Sequence, residues 1–254
     1  VRQSISATSG AVNDDVDNDL SVRFRLDLPT FKKRVSLLIE SESEDVLDNT
    51  AGARADQFID PRLNSNSQSL GLEQRGTGNG LDRWKNSLGA GARIRSQIDP
   101  YVRLTSTRRF LFSQSAWELN SFNRLTYFDR RGYVARTAFD AAYPFNENQA
   151  LRLVTQAEWQ EQRSDTAFSQ SIEFNQRINA RTGMRYSLIA LGDTARSESI
   201  YDYVLQAYYR RDLHNSFIFA DVVPELHFPQ EAGLEPYVAL ILRLEILFRS
   251  NVTY

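Results

Sequence analysis

The 254-residue sequence contains no cysteine, only two histidines and only three lysines. Without cysteine there is no disulfide, no thiolate nucleophile and no thiolate-ligated zinc or iron–sulfur cluster. The same absence suits a chain exported unfolded through an oxidising compartment. Two separated histidines make no zinc pattern without cysteine, so no metal or other cofactor is expected. A long hydrophobic run is also lacking. The longest purely apolar stretch is Tyr237 to Leu242, far short of the ~20 residues a membrane helix needs. Helical spanning is thereby excluded, but a β-barrel is not, because only alternate residues of its strands must be apolar. With a net charge of -2 and a pI near 5.8, the chain lacks the basic excess that a nucleic-acid partner requires. It begins at Val1 with no visible signal peptide, as expected of a processed or trimmed chain.

What is present is alternation. Hydrophobic residues make up 41 % of the chain, yet mean hydropathy is -0.45, so the apolar residues must be spread rather than clustered. Val238, Leu240, Leu242, Leu244, Ile246 and Phe248 fall on one face of an extended segment whose other face carries Arg243 and Glu245. Leu20, Val22, Phe24, Leu26 and Leu28 likewise oppose Ser21, Arg23, Arg25 and Asp27. Period 2 of this kind marks strands with two unlike faces.

Turn signals separate the alternating runs at near-regular intervals. They define fourteen segments: 1–9, 20–28, 34–42, 68–75, 84–96, 101–112, 116–128, 133–143, 149–161, 167–178, 183–192, 201–212, 216–227 and 236–248. Without the first and fourth the count falls to twelve. The expected fold is all-β: one antiparallel up-and-down transmembrane β-barrel domain over residues 1–254 with about 14 strands, or 12 as the alternative. With the first strand rising, the acidic stretch Gly10 to Asp19 and the longest connection, Ser43 to Ser67, become outer loops. A soluble β-sandwich or lipocalin-like barrel would alternate too, with the apolar face inward. Strands of ~9–13 residues suit a tilted membrane span, and acids and arginines recur in mid-strand on the polar face. Both favour the membrane form. Aromatics near segment ends, among them Trp84, Tyr101, Tyr127, Phe128, Tyr133, Trp159, Tyr201 and Tyr237, are expected to form interfacial girdles.

The alternating last segment, with Phe248 near its end, resembles the terminal signal of Gram-negative outer-membrane barrels. Here Arg249 to Tyr254 follow the phenylalanine. The resemblance is to a porin-like class and assigns no particular family. It implies a location in the outer membrane of a Gram-negative cell. It also implies contact with outer-membrane lipid and lipopolysaccharide, and recognition by the barrel-insertion machinery.

Few motifs point to chemistry. His214-Asn215-Ser216 resembles the His-x-Ser spacing of outer-membrane lipid hydrolases, but the surrounding motif is missing, and a polar turn is the simpler reading. Arg75 to Gly80 lacks the Lys-Ser/Thr of a phosphate loop. Asp15, Asp17 and Asp19 lack the glycine and terminal glutamate of a calcium loop. No enzymatic activity is expected.

The most informative constellation is the polar face. Alternation projects Arg23, Arg25, Lys85, Arg93, Arg95, Arg103, Arg136, Asp140, Arg152, Glu158, Glu173, Arg177, Asp202, Arg210, Asp221, Glu225, Arg243 and Glu245 into the lumen. Both signs occur, eleven basic and seven acidic, as in a pore with a transverse field. The leading functional expectation is passive diffusion of small polar or charged solutes through a porin-like channel, gated by Ser43 to Ser67. The second is a non-transporting barrel that anchors or assembles with an envelope protein partner. A lipid hydrolase is a distant third. Arg93, Arg95 and Arg103, with no acid projecting beside them, predict a weak anion preference. Arg is expected to be costly at lipid-facing Leu242 and tolerated at lumenal Ile241.

Overall fold

The computed structural model describes residues 2–12, 15–27, 35–42, 67–75, 84–94, 98–111, 116–162, 165–196, 199–215 and 217–249. The chain is an all-β, antiparallel, up-and-down sheet. Its strands are β1 (Arg2–Val12), β2 (Asp15–Asp27), β3 (Val35–Glu42), β4 (Ser67–Arg75), β5 (Trp84–Ile94), β6 (Ile98–Leu111), β7 (Glu118–Phe128), β8 (Gly132–Asn146), β9 (Gln149–Gln160), β10 (Thr166–Asn179), β11 (Thr182–Asp193), β12 (Ile200–His214), β13 (Ile218–Pro229) and β14 (Tyr237–Arg249). Each strand pairs with the next in sequence, and β1 also pairs with β14, so the strand order returns to its start. Among the described residues the only helix is one 3-10 turn, Gln230–Ala232.

Local chemistry sets the tight turns. The Oδ1 of Asn146 accepts from the Asn148 amide at 2.9 Å, and that of Asn179 from the Arg181 amide at 2.9 Å. These side chains substitute for a turn's own backbone bond. Asn215 takes a positive φ of 45° between β12 and β13, a conformation asparagine tolerates better than most residues. Gly192 is required sterically. A Cβ there would sit 2.2 Å from the Ser199 carbonyl oxygen and 2.3 Å from the Phe168 ring.

Several strands run further than turn signals suggested. Residues 10–12 and 15–19 extend β1 and β2, with Gly10 opposite Asp17 and Val12 opposite Asp15. The acidic stretch Gly10 to Asp19 is therefore largely strand rather than loop. Neighbouring strands satisfy its backbone groups, and that pairing is indifferent to the side-chain charges that suggested a loop. Asp99 and Pro100, read as a turn, open β6. Residues 43–66, the expected gate, lie outside the described residues.

Burial runs opposite to that of a water-soluble protein. On β14, Val238, Leu240, Leu242 and Leu244 are 40–62 % exposed, while Ala239, Ile241 and Arg243 between them are buried. Outside hydrophobic and inside charged is the arrangement that suits lipid around a barrel. Among the described residues the β12–β13 ladder is interrupted. Pro224 has no amide hydrogen to donate, and the β12–β13 pairing runs from Gln206–Glu225 to Tyr209–Val222 with no pairs between.

Candidate functional site: the inward wall

The inward residues form lateral rows, because residues opposite one another in register share a face. One row crosses five strands: Arg152, Glu173, Ser187, Gln206 and Glu225. Arg152 binds Asp140 through two nitrogens at 2.7 Å each and reaches Glu173 at 3.5 Å. The Nε2 of Gln206 donates to Glu225 at 2.8 Å. A second row joins Arg210, Asp221 and Arg243. Arg210 pairs with Glu245 and lies 3.5 Å from Asp221. Arg136 pairs with Glu158 on the neighbouring strand. Buried charges are tolerable only when paired in this way.

His227 lies near the end of β13. It sits inside the wall, 1 % exposed. Its Nδ1 lies 2.8 Å from Asp202 and its Nε2 3.1 Å from Glu225, and the ring stacks on Tyr237 at 4.5 Å. Both nitrogens are thus engaged with carboxylates, and neither is available to activate a hydroxyl. His214 is exposed at the end of β12, beside Phe217. Ser216 lies outside the described residues, so the His-x-Ser pair is not described as a unit.

The wall has an apolar component that counting charges missed. Ile189, Leu191 and Val204 form a buried cluster with Tyr201 packed against it. Val223 faces Ile241 across β13 and β14, and both are at most 2 % exposed. Ile241 was expected to tolerate Arg. It is instead enclosed, and the longer Arg side chain would have to displace the packed residues around it. The signal was present: Val204 lies between Asp202 and Gln206, and Val223 between Asp221 and Glu225, on the inward face of each strand.

Other projections need correction. Arg93 is buried, but so is Asp99, its direct partner in register, and Phe128 lies under the Arg93 guanidinium at 5.8 Å. An acid does project beside the β5–β6 arginines, contrary to expectation. It was assigned to a turn because β6 starts three residues earlier than proline placement suggested. Arg103 is buried with its guanidinium 4.8 Å from the Tyr101 ring centre. Tyr101 and Phe128 are 5 % exposed and pack on each other inside the wall, so they do not belong to an outer girdle. Gly91 and Gly89 stand opposite Tyr101 and Arg103, leaving space beside these large side chains. Trp84, Tyr127, Tyr133 and Trp159 are exposed on the outer face. Lys85 and Arg177 are exposed near strand ends. Arg23 and Arg25 lie on β2, where only the backbone is described; Arg95 and the Phe248 side chain lie outside the described residues.

The lumen has two zones along its axis. Near the ends that carry Asp129–Arg131 and Thr194–Arg196, inward residues are packed: Tyr101, Phe128, Glu158, Leu191, Asp202 and His227 are all buried. At the opposite end, where turns 147–148 and 180–181 lie, a cavity of ≈ 770 Å³ opens. Arg177, Arg181, Arg185 and Arg210 line it, with Glu147 and Asp212 as its acids, and amides from Asn146, Asn175 and Asn179. Arg210 is already held by Glu245 and Asp221, which leaves Arg177, Arg181 and Arg185 against Glu147 and Asp212, a small basic excess.

No protein-family model and no curated protein matches the sequence. Solved structures match over nearly the whole chain. A bacterial polysaccharide outer membrane secretin superposes with a TM-score of 0.60 at 11 % identity, covering 98 % of both chains. The anion-selective porin from Comamonas acidovorans gives 0.58 at 9 % identity, covering 98 % of this chain and 99 % of that one. OmpT, an outer membrane protein of Vibrio cholerae, gives 0.51 at 5 % identity, covering 97 % and 96 %. The fold is that of porin-like outer-membrane β-barrels.

Proposed function

We propose that the chain is a closed fourteen-strand barrel of the bacterial outer membrane that lets small polar or charged solutes diffuse through its lumen. The observation that carries this reading is the basic, amide-lined mouth of ≈ 770 Å³ set in a charged inward wall. Apolar residues such as Leu240 and Leu242 are exposed on the outer face, which suits lipid and would be unfavourable in water. The amides and guanidinium groups of the mouth offer donors to hydroxyl and carboxylate oxygens. Small anions and hydroxyl-rich solutes are therefore the class that it fits best, in keeping with one neighbour named as anion-selective and another as a polysaccharide secretin. Passage narrows toward the packed zone, so this is a restrictive channel rather than a wide one. A liposome-swelling assay with neutral and acidic sugars of graded size tests the reading. Entry of the small sugars, with acidic ones favoured at low salt, is the expected result. Vesicles that hold folded protein yet swell no faster than empty ones would refute it.

A further inference from the structure

The outer surface is not uniform. On β11–β14 the exposed outward residues at mid-strand are apolar: Tyr186, Leu188, Tyr203, Leu205, Val222, Leu240, Leu242 and Leu244. On β5–β8 a polar band crosses the same face. Asn86 stands opposite Ser106, Ser106 opposite Asn123, and Asn123 opposite Thr137. On the next two strands Thr155 stands opposite Gln170. Asn86, Asn123, Thr155 and Gln170 are exposed. Asn123 is the sixth residue of the eleven in β7 and Thr155 the seventh of the twelve in β9. This part of the band therefore lies near the middle of the span, where lipid offers no hydrogen-bond partner, while Asn86, third residue of β5, lies nearer a strand end.

The band satisfies itself only in part. Thr137 donates to the Oδ1 of Asn123 at 2.8 Å, Asn123 donates to Ser121 at 3.1 Å, and Trp84 donates to Ser106 at 2.7 Å. Thr155 donates to the Oε1 of Gln170 at 2.6 Å. That bond uses the oxygen of Gln170 and leaves its amide N–H₂ without a partner among the described residues. Beside the band the face is indented. A hollow of ≈ 320 Å³ is floored by small residues, Ala135 and Ala157, and edged by Leu104, Leu125 and Trp159. Phe139, two residues from Thr137 on β8, projects outward at 47 % exposure.

We infer that the β5–β10 face is a subunit interface that binds a second copy of this chain within the membrane. Three features select a second copy. Every member of the band is an amide or hydroxyl, both donor and acceptor, so the band is complementary to itself. No member of the band is charged, and the exposed Arg108, two residues from Ser106, lies over the Trp84 and Phe110 rings at 5.3 and 4.5 Å. The face carries both a hollow and a projecting ring, Phe139, that such a hollow can receive, which gives a self-complementary surface of the kind that symmetric oligomers use. Small residues and uncharged polar groups are also what brings membrane-spanning elements together where no hydrophobic force distinguishes protein from lipid.

This inference rests on the membrane reading, and the experiment separates the two. The full chain is refolded into lipid vesicles, extracted in mild detergent and weighed by native mass spectrometry. Heat-modifiable migration on a gel reports barrel formation independently of assembly. The expected result is an oligomer of the wild-type chain. The triple variant Asn123→Leu, Thr137→Val, Gln170→Leu should lose the oligomer completely while keeping heat-modifiable folding. The control Leu205→Ala, Leu242→Ala on the opposite face should keep the oligomer. A folded wild-type chain that is only monomeric would overturn the inference, as would a triple variant that still assembles. Failure of the chain to enter vesicles at all would instead defeat the membrane reading beneath it.

Discussion

The two ends of the lumen use the same residue types in opposite ways. In the packed zone Asp202, Glu225 and Gln206 enclose His227, and Ile189, Leu191 and Val204 fill the space beside them. Charges there are spent on one another. At the mouth, Arg177 and Arg181 are exposed and line open space. Charges there remain available to a solute. Ionic side chains therefore stand in two settings in one wall: paired and buried at one end, and facing water at the other. Charge alone, counted along the sequence, does not separate these roles.

The sharpest way to break the comparison is to remove one partner at each end. Glu225→Ala strips both Gln206 and His227 of a bonded carboxylate in a buried site. Loss of one member of a buried charged network costs ~3–5 kcal/mol. Arg177→Ala, exposed at the mouth, should stay within ~0.5 kcal/mol of wild type. Urea titration of the barrel in vesicles, followed by tryptophan fluorescence, reads both, and equal losses would erase the distinction between the zones.

Packing gives the next largest effect. Ile189→Ala removes apolar volume from the enclosed cluster, at ~2–5 kcal/mol. If the packed zone is the constriction, the same variant should raise single-channel conductance, whereas Asn175→Ala at the wide mouth should leave it unchanged. Stability loss without any gain in conductance would place the constriction elsewhere.

Position relative to lipid comes third. Leu242→Arg should cost ~2–4 kcal/mol in vesicle folding yield, the range for Arg near the midplane of a lipid-facing strand. Ile241→Arg should be poorly tolerated as well, because Ile241 is enclosed against Val223. Asn175→Arg, at the mouth, should fold normally. Normal folding of Ile241→Arg would show that the wall at β13–β14 opens onto water.

Much of this was legible in the sequence. Alternation sufficed for the antiparallel up-and-down sheet and for the faces of β14, because a period of two has one structural meaning in a long exposed-and-buried strand. Strand ends were less legible. Proline and aspartate at 99–100 read as a turn, but β6 begins at Ile98 and carries Pro100 as its third residue, near the strand's start, where proline is tolerated. That single boundary hid the Asp99 partner of Arg93. Aromatic positions near ends gave no direction either, since only parity separates buried Tyr101 and Phe128 from exposed Tyr127 and Tyr133. The His227 cluster joins two strands 25 residues apart, Asp202 to His227, and no local spacing announces it.

The smallest effect concerns selectivity. Arg93 faces Asp99, so an anion preference should arise at the mouth, where Arg177 and Arg181 are exposed. Arg177→Gln with Arg181→Gln should reduce it, while Arg93→Gln should affect stability more than selectivity.

Planar-bilayer recording of the wild-type protein in a salt gradient addresses the central claim most directly. Discrete conductance steps are expected, with a reversal potential showing weak anion preference that fades as salt rises and the Debye length falls below ~8 Å. Folded, inserted protein that gives no conductance steps, or steps with cation preference at low salt, would contradict a diffusion channel with a basic mouth.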